Sequence, residues 1–296
     1  MQNNINIIPL VIDDNFVNKS YHAIRSESGI LNIGRKFFRN SLLSLFSLLN
    51  KKLEDKFLRC LYLHHVFDDQ IEKFEQLFLN LKELGHFIDT DTMMEMLEGK
   101  KEIDGRYFHL SFDDGFKNNF TNAVPILSKY EIPCIFFVPT DFIGASWEKT
   151  KYYCIETTRH ANVIEMLTWE ELRDMTSLGF EIGSHTRSHT QLSSISHDED
   201  LLKNELLFSK EEIEKKIQIE CKYIAWPFGR HNDIDAASLS MIQTVGYNAC
   251  FGAFRGTVFQ KMTNTFEIPR HEMDLQLSFL QNEYFAKGNM EMEFKI

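Results

Sequence analysis

The 296-residue sequence predicts an α/β fold of parallel βα units, either a barrel or a doubly wound sheet. Three observations lead there. From Cys60 onward, short apolar runs alternate with stretches of helical periodicity. The chain is long enough to bury the core of one catalytic domain with an extension, and its 43% hydrophobic and 25% charged content is ordinary for a globular protein. The motifs that could carry chemistry all close predicted strands, which is where βα barrels collect their active-site residues.

Taken in order, residues 1–34 are polar, rich in Asn and carry little periodic signal. Residues 35–59, RKFFRNSLLSLFSLLNKKLEDKFLR, place Phe38, Leu42, Leu45, Phe46, Leu49 and Leu53 at helical spacing with basic residues at both ends. A basic amphipathic helix is expected, either docked on the catalytic domain or lying through 35–53 on an anionic membrane surface. Residues 1–59 thus read as an N-terminal extension and 60–296 as the catalytic domain. Within the latter, CLYLHHV (60–66) reads as a strand and 71–84 as an amphipathic helix ending at Gly85. Strands follow at YFHLSF (107–112), CIFFV (134–138), FEIGS (180–184), YIAWPF (223–228) and NACF (248–251). Helices are expected over 119–130, 169–178, 198–217 and 234–245.

Charge and cysteine content narrow the function. A net charge of -11 excludes a general polyanion binder, so no nucleic-acid partner is expected. The five Cys (60, 134, 154, 221, 250) are odd in number and lack a Cys-x-x-Cys pair, which argues against a disulfide framework or cysteine zinc site. The opening Met-Gln-Asn-Asn-Ile-Asn has no basic region leading into an apolar run, and no stretch approaches the ~18 apolar residues of a membrane span. A cytoplasmic location is therefore expected, peripheral on the inner membrane face if the 35–53 helix binds lipid. No sequence signal sets an oligomeric state.

Four strand-end motifs carry candidate chemistry. In SFDDG (111–115), two adjacent carboxylates end an apolar strand, where both can reach a shared mouth as Gly115 turns the chain. In GSHTRSH (183–189), His185 and His189 can converge on one metal. Combined, two imidazoles and one carboxylate make a three-ligand site with open positions, and the second carboxylate is left to act as a general base. AWPFG (225–229) offers a turn that can present a backbone N–H to an oxyanion. IPRHE (268–272) adds Arg270.

These motifs resemble the polysaccharide deacetylase family, the NodB homology domain of carbohydrate esterase family 4. LHHV (63–66) resembles the Tyr-His-Arg-Val near the start of many members, SFDDG the family's Thr-Phe-Asp-Asp-Gly, and SHTRSH its His-(Ser/Thr)-x-x-x-His element. IPCIFFVPTDFIG (132–144), TWEEL (168–172) and GFEIGSHT (179–186) fit the intervening pattern in order and spacing.

The resemblance implies a distorted (β/α) barrel of about seven parallel strands, preceded here by the helical extension. It implies one divalent metal on Asp114, His185 and His189, with zinc the first choice and cobalt, nickel or iron as alternatives. Asp113 would be the catalytic base. Pro227, Phe228 and Gly229 would form the oxyanion turn, with Trp169 among the substrate-binding side chains. Two departures stand out. Many members carry Arg where this chain has Ala225, and Arg270 is expected to supply that guanidinium to Asp113. The family's late Leu-x-His has no clear match, which leaves His271, then His231 or a water, as the general acid. The implied reaction removes N-acetyl groups from a sugar of a bacterial surface glycan or its lipid- or nucleotide-linked precursor. A small-molecule amidohydrolase on the same barrel and a catalytically weak sugar-binding relative are the competing readings.

Overall fold

In the computed structural model, the residues described are 16–17, 19–24 and 54–288. β1 (Phe57–Leu63) is buried along its whole length, as a strand covered on both faces must be. It pairs in parallel with β3 (Arg106–Phe112), against whose other edge β2 (His86–Ile88) also lies. β4 (Ile135–Val138), β5 (Glu181–Ser184), β6 (Tyr223–Ala225) and β7 (Ala249–Phe251) continue on one side, and β8 (His271–Glu272) flanks β1 on the other. The order is β7-β6-β5-β4-β3-β1-β8, with every pairing parallel.

The run 268–272 brings the two ends of this sheet together. Ile268 bridges Phe251 of β7, while His271 and Glu272 pair with Leu61 and Tyr62 of β1. The result is the distorted parallel barrel that the sequence predicts.

Alternation along the strands separates two apolar layers. Leu58 and Cys60, Ile135 and Phe137, Tyr223 and Ala225, and Ala249 and Phe251 pack together inside the barrel. Their neighbours Leu61 and Leu63, Phe136 and Val138, Ile224 and Cys250 pack outward under the helices. On β3 the outward residues are Phe108, Leu110 and Phe112, so His109, Ser111 and Asp113 belong to the inward set. That parity aims Asp113 into the barrel mouth.

Several boundaries differ from expectation. Residues 57–59, expected at the end of the basic helix, open β1 instead. Arg59 is buried there, paired with Glu54 at 3.0 Å, and packs beside Gly288, so it is not part of a basic helical face. Residues 35–53, with the proposed membrane contact, lie outside the described residues. The short β2 and β8 and the helices Thr90–Glu98, Trp147–Tyr152 and Phe279–Ala286 add to the expected set. The first of these helices has clear end signals in the Asp89 N-cap and the left-handed Gly99.

The barrel end opposite the candidate site holds a pH-sensitive carboxyl. Glu181 accepts hydrogen bonds from the Thr90 N–H and hydroxyl, both at 2.9 Å, and burial pushes its pKa from 4.5 up to about 7. The folded chain therefore keeps this proton to higher pH than the unfolded chain. Its stabilising contribution is complete below 4.5 and is lost as pH rises through 7. Glu181→Gln keeps an acceptor without the charge, and is expected to exceed wild type by about 2–3 kcal/mol at pH 8 but by little near pH 5. Urea unfolding at both pH values checks this; a difference independent of pH would refute it.

Candidate metal centre and catalytic pocket

Asp113 extends the ladder past β3, its N–H donating to the Leu63 carbonyl at 3.0 Å. The chain then turns through left-handed conformations at Asp114 (φ 74°) and Gly115 (φ 68°). His185 likewise follows β5, donating its N–H to the Val138 carbonyl at 2.9 Å, and its Nδ1 meets the Ala225 carbonyl at 2.8 Å. As that carbonyl can only accept, Nδ1 carries the hydrogen and Nε2 is left toward Asp114.

The His185–His189 loop is shaped from behind by the helix Glu199–Ile217. Glu205 accepts from the Arg187 N–H (3.1 Å), the Ser188 N–H (2.8 Å) and the Ser188 hydroxyl (2.6 Å). Ser209 donates to the Thr186 carbonyl at 3.0 Å. These bonds hold Thr186 and His189 at φ of 64° and 59°, a conformation that an isolated loop would not keep.

His189 Nε2 lies 3.2 Å and His185 Nε2 3.5 Å from Asp114 Oδ1. All three side chains are buried, and their potential ligand atoms lie within 4.8 Å of one another. Burial pushes the Asp114 carboxyl up, but hydrogen bonds from His185 and His189 outweigh this and hold it well below the usual range. Burial pulls His185 down, yet Asp114 and Asp113 raise it overall, whereas for His189 burial prevails and the group is lowered.

Arg270 is fully buried and inward-facing, in the same parity as Ile268. Its Nη1 and Nη2 each donate to an Asp113 carboxylate oxygen at 2.8 Å, Nη1 also reaches Ser111 Oγ at 2.9 Å, and Nε donates to the Gly252 carbonyl at 2.7 Å. Its guanidinium sits over Tyr62, with the carbon 4.7 Å from the ring centroid. Burial pushes Asp113 up, and Arg270 more than reverses this, so the carboxylate is held ionised.

A cavity of about 300 Å³ opens on these groups, its wall including Tyr62, His64, Thr157, Thr158, Arg159, Trp226, Phe228 and Gly229 beside Asp113 and the triad. Phe228, at φ 64° and 48% exposed, packs its ring against His189 at 4.9 Å. Gly229 turns against Ala253 so closely that an added Cβ would lie 2.1 Å from the Ala253 Cβ.

The structure thus brings Asp113, Asp114, His185, His189, Arg270, Phe228 and Gly229 together, and leaves three expected residues outside. Pro227 is buried below the turn and does not line the cavity. Trp169 starts the helix Trp169–Ser177 behind a Thr168–Glu171 capping box, on the outer layer of the barrel, with Lys216 over its ring. His271 pairs with outward-facing Leu61 and is fully buried, so strand parity turns it away from the cavity that Arg270 enters. The structure thus does not bring His271, expected as the general acid, to this cavity. His231, the alternative, packs tilted against Phe254, with ring centroids 4.1 Å apart, and is also absent from the lining.

Sequence reasoning missed His64, Tyr62, Thr157–Arg159 and Tyr153, whose hydroxyl donates to Asp114 Oδ1 at 3.0 Å. His64 had a usable signal: it follows β1 within LHHV, a strand end like the others. Tyr153 and 157–159 had none, since no strand ends there.

The family model for polysaccharide deacetylases matches residues 100–249, just over half of the chain. The chain belongs to that family. Over 188 residues it is 28% identical to the poly-beta-1,6-N-acetyl-D-glucosamine N-deacetylase of Staphylococcus aureus (strain MRSA252), covering 60% of this chain and 59% of that protein. The chain spans about half the length of the curated relatives it matches. In fold it is similar to IcaB from Ammonifex degensii (TM-score 0.66, 21% identity, 79% of this chain and 98% of that one). It is also similar to the BpsB deacetylase domain from Bordetella bronchiseptica (TM-score 0.62, 18% identity, 76% and 98%).

Proposed function

We propose that this chain is a metal-dependent N-deacetylase, acting on an acetylated sugar of a surface glycan or of its lipid- or nucleotide-linked precursor. The observation that carries this reading is the meeting, in one cavity, of a buried Asp–His–His triad with a separate carboxylate clamped by Arg270. The donor set suits a divalent cation: two imidazoles, one of them with its tautomer fixed by Ala225, and an ionised carboxylate. Zinc fits it best. A cation held by Asp114, His185 and His189 would supply Lewis-acid chemistry, polarising an acetyl carbonyl and acidifying a water to the point where a base as weak as Asp113 suffices.

The remaining roles fall to groups of the chain itself. Asp113, aimed by Arg270, accepts the proton of the attacking water. The Phe228 N–H, in the turn that Gly229 allows against Ala253, is the proposed donor to the developing oxyanion. His64 is the histidine of the cavity lining that the triad does not use, and so becomes the proposed acid for the departing amine. His64→Gln is expected to lower kcat on an unactivated amide by about a hundredfold. An activated ester, whose leaving group needs no proton, should be spared. Equal losses on both would refute the acid role.

The named substrate of the Staphylococcus aureus relative supports an N-acetylhexosamine as the sugar unit. Zinc, a lipid- or nucleotide-linked carrier, and work at the cytoplasmic membrane face through 35–53 are the finer parts of this proposal. Among the described residues no helix is long and apolar enough to cross a membrane.

The test is acetate release from N-acetylated sugar nucleotides, lipid-linked sugars and oligomers of β-1,6-N-acetylglucosamine. Zinc-reconstituted protein would be compared with a His185→Ala, His189→Ala double variant. Release by wild type alone supports the reading. Silence with stoichiometric zinc bound would favour a binding role, and silence without bound metal would remove its foundation.

A further inference from the structure

Asp114 sits in a left-handed conformation at the end of a strand, and its carboxylate is the anionic member of the triad. Among the described residues outside the triad, a side chain that hydrogen-bonds it is Tyr153, whose hydroxyl donates to Oδ1 at 3.0 Å. Tyr153 is itself fully buried. It stacks on Phe142 at 4.1 Å and meets the His189 ring edge-on at 5.6 Å. It also opens a π-helical turn, Tyr153–Thr157, at the end of the helix Trp147–Tyr152. Such wide turns are uncommon and are concentrated at functional sites.

Tyr153 belongs to a small core separate from the two barrel layers, made with Phe67, Phe116, Phe142, Cys154 and Val163. This core is not closed by the barrel domain alone, because Val17 and Tyr21, far earlier in the chain, pack onto it. The described residues of this stretch, 16–17 and 19–24, are tied down at several points. The Val17 N–H donates to the Val163 carbonyl at 2.9 Å, the Asp69 N–H donates to the Lys19 carbonyl at 3.1 Å, and Ser20 Oγ donates to Asp69 at 2.7 Å. The Asn162 amide donates to the Ala23 carbonyl, and Phe16 meets Trp147 edge-on at 4.9 Å.

We infer that Tyr153 is a positioning residue for the metal ligand Asp114, and that the strap formed by residues 16–17 and 19–24 holds Tyr153 in place. The segment expected to be a separate extension thus supports the metal centre. The inference rests on the ligand assignment proposed above and extends it to residues that touch neither metal nor substrate. Preorganisation is the physical reason: a carboxylate fixed by a buried donor loses no rotamer freedom when it takes up a cation.

The experiment uses the full chain, stripped of metal, and reads zinc affinity by competition with a chromophoric chelator, so that neither sugar nor turnover enters. Tyr153→Phe keeps the ring and its packing but removes the donor. It is expected to weaken zinc binding about ten- to a hundredfold and to shift the visible bands of the cobalt-loaded protein, while the metal-free form stays folded with a native circular-dichroism spectrum. A Val17→Ala, Tyr21→Ala double variant should weaken zinc binding as well. Combined with Tyr153→Phe it should add less than its separate effect, since both act through one group. Wild-type affinity and spectrum in Tyr153→Phe would overturn the positioning role. Full additivity, or unchanged zinc binding in the strap variant, would overturn the strap's part. Absence of stoichiometric zinc binding by wild type would instead overturn the ligand assignment and this inference with it.

Discussion

Arg270→Ala is expected to unfold about 3–5 kcal/mol more easily than wild type and to lose nearly all turnover. The guanidinium is fully buried and makes four hydrogen bonds, two of them to the Asp113 carboxylate. Removing it leaves that carboxylate buried without its partner, together with the Gly252 carbonyl and a void between Tyr62 and Phe137. An unpaired buried charge costs far more than the pair contributes, because its desolvation is no longer offset. Arg270→Lys should recover part of the stability, since one ammonium cannot reproduce the two parallel bonds. An Arg270→Met, Asp113→Leu double variant should recover more stability than either single change predicts while remaining inactive. Urea unfolding of the set, beside acetate release, decides it. A single Arg270→Ala protein as stable as wild type would show that the pair contributes nothing, contrary to its burial and geometry.

The legible part of this molecule is the part whose chemistry sits at strand ends. SFDDG, GSHTRSH, AWPFG and IPRHE each combine an apolar run with polar residues that a core would not accept, so both the strand and its function show in a few consecutive letters. The pairing of Arg270 with Asp113 is expected only through the family resemblance, from Ala225 standing where many members carry Arg. The placement of His271 is not legible for a local reason: one step along a strand reverses the face, and IPRHE alone does not say whether Arg or His points inward. The place of Trp169 is equally hidden, since an aromatic beside a capping box can serve in an outer helical layer. Tyr153, Thr157 and Arg159 are illegible because they reach the site from a helix and turn rather than a strand end. What seats Tyr153 is packing against residues as far apart in the chain as Val17, Tyr21, Phe67 and Val163, and no local pattern announces it.

Backbone strain marks the same site independently. Asp114, Thr186, His189 and Phe228 all have positive φ without being glycine, and Arg159 on the cavity wall is another. Each such residue costs on the order of 1 kcal/mol, and most are held by neighbours already described: Glu205 and Ser209 behind the histidine loop, Gly229 against Ala253 behind Phe228. Strain gathered at the mouth of one barrel, and opposed by buried hydrogen bonds, marks a preorganised site.

Asp113→Asn is the substitution that separates a base from a ligand. The amide is nearly isosteric and can still accept a hydrogen bond from one Arg270 nitrogen through its oxygen, while its NH2 faces the other. Stability should therefore fall, but the Asp114–His185–His189 triad does not depend on this pair and should keep its geometry. What it cannot do is take a proton. If Asp113 is the base, kcat for acetate release should fall by about 10²–10⁴-fold, while zinc affinity stays at the wild-type value. If Asp113 instead completes the metal site, zinc affinity and kcat should fall together, and excess zinc should restore turnover. The geometry favours the first outcome. Both Asp113 oxygens are engaged by Arg270 at 2.8 Å, whereas it is Asp114 whose Oδ1 lies within 3.5 Å of both imidazole Nε2 atoms. Two neighbouring carboxylates thus have different partners, one a fixed cation of the protein and the other a pair of imidazole rings. If Asp113 is the base, that division would let one side chain move protons while the next one stays in place.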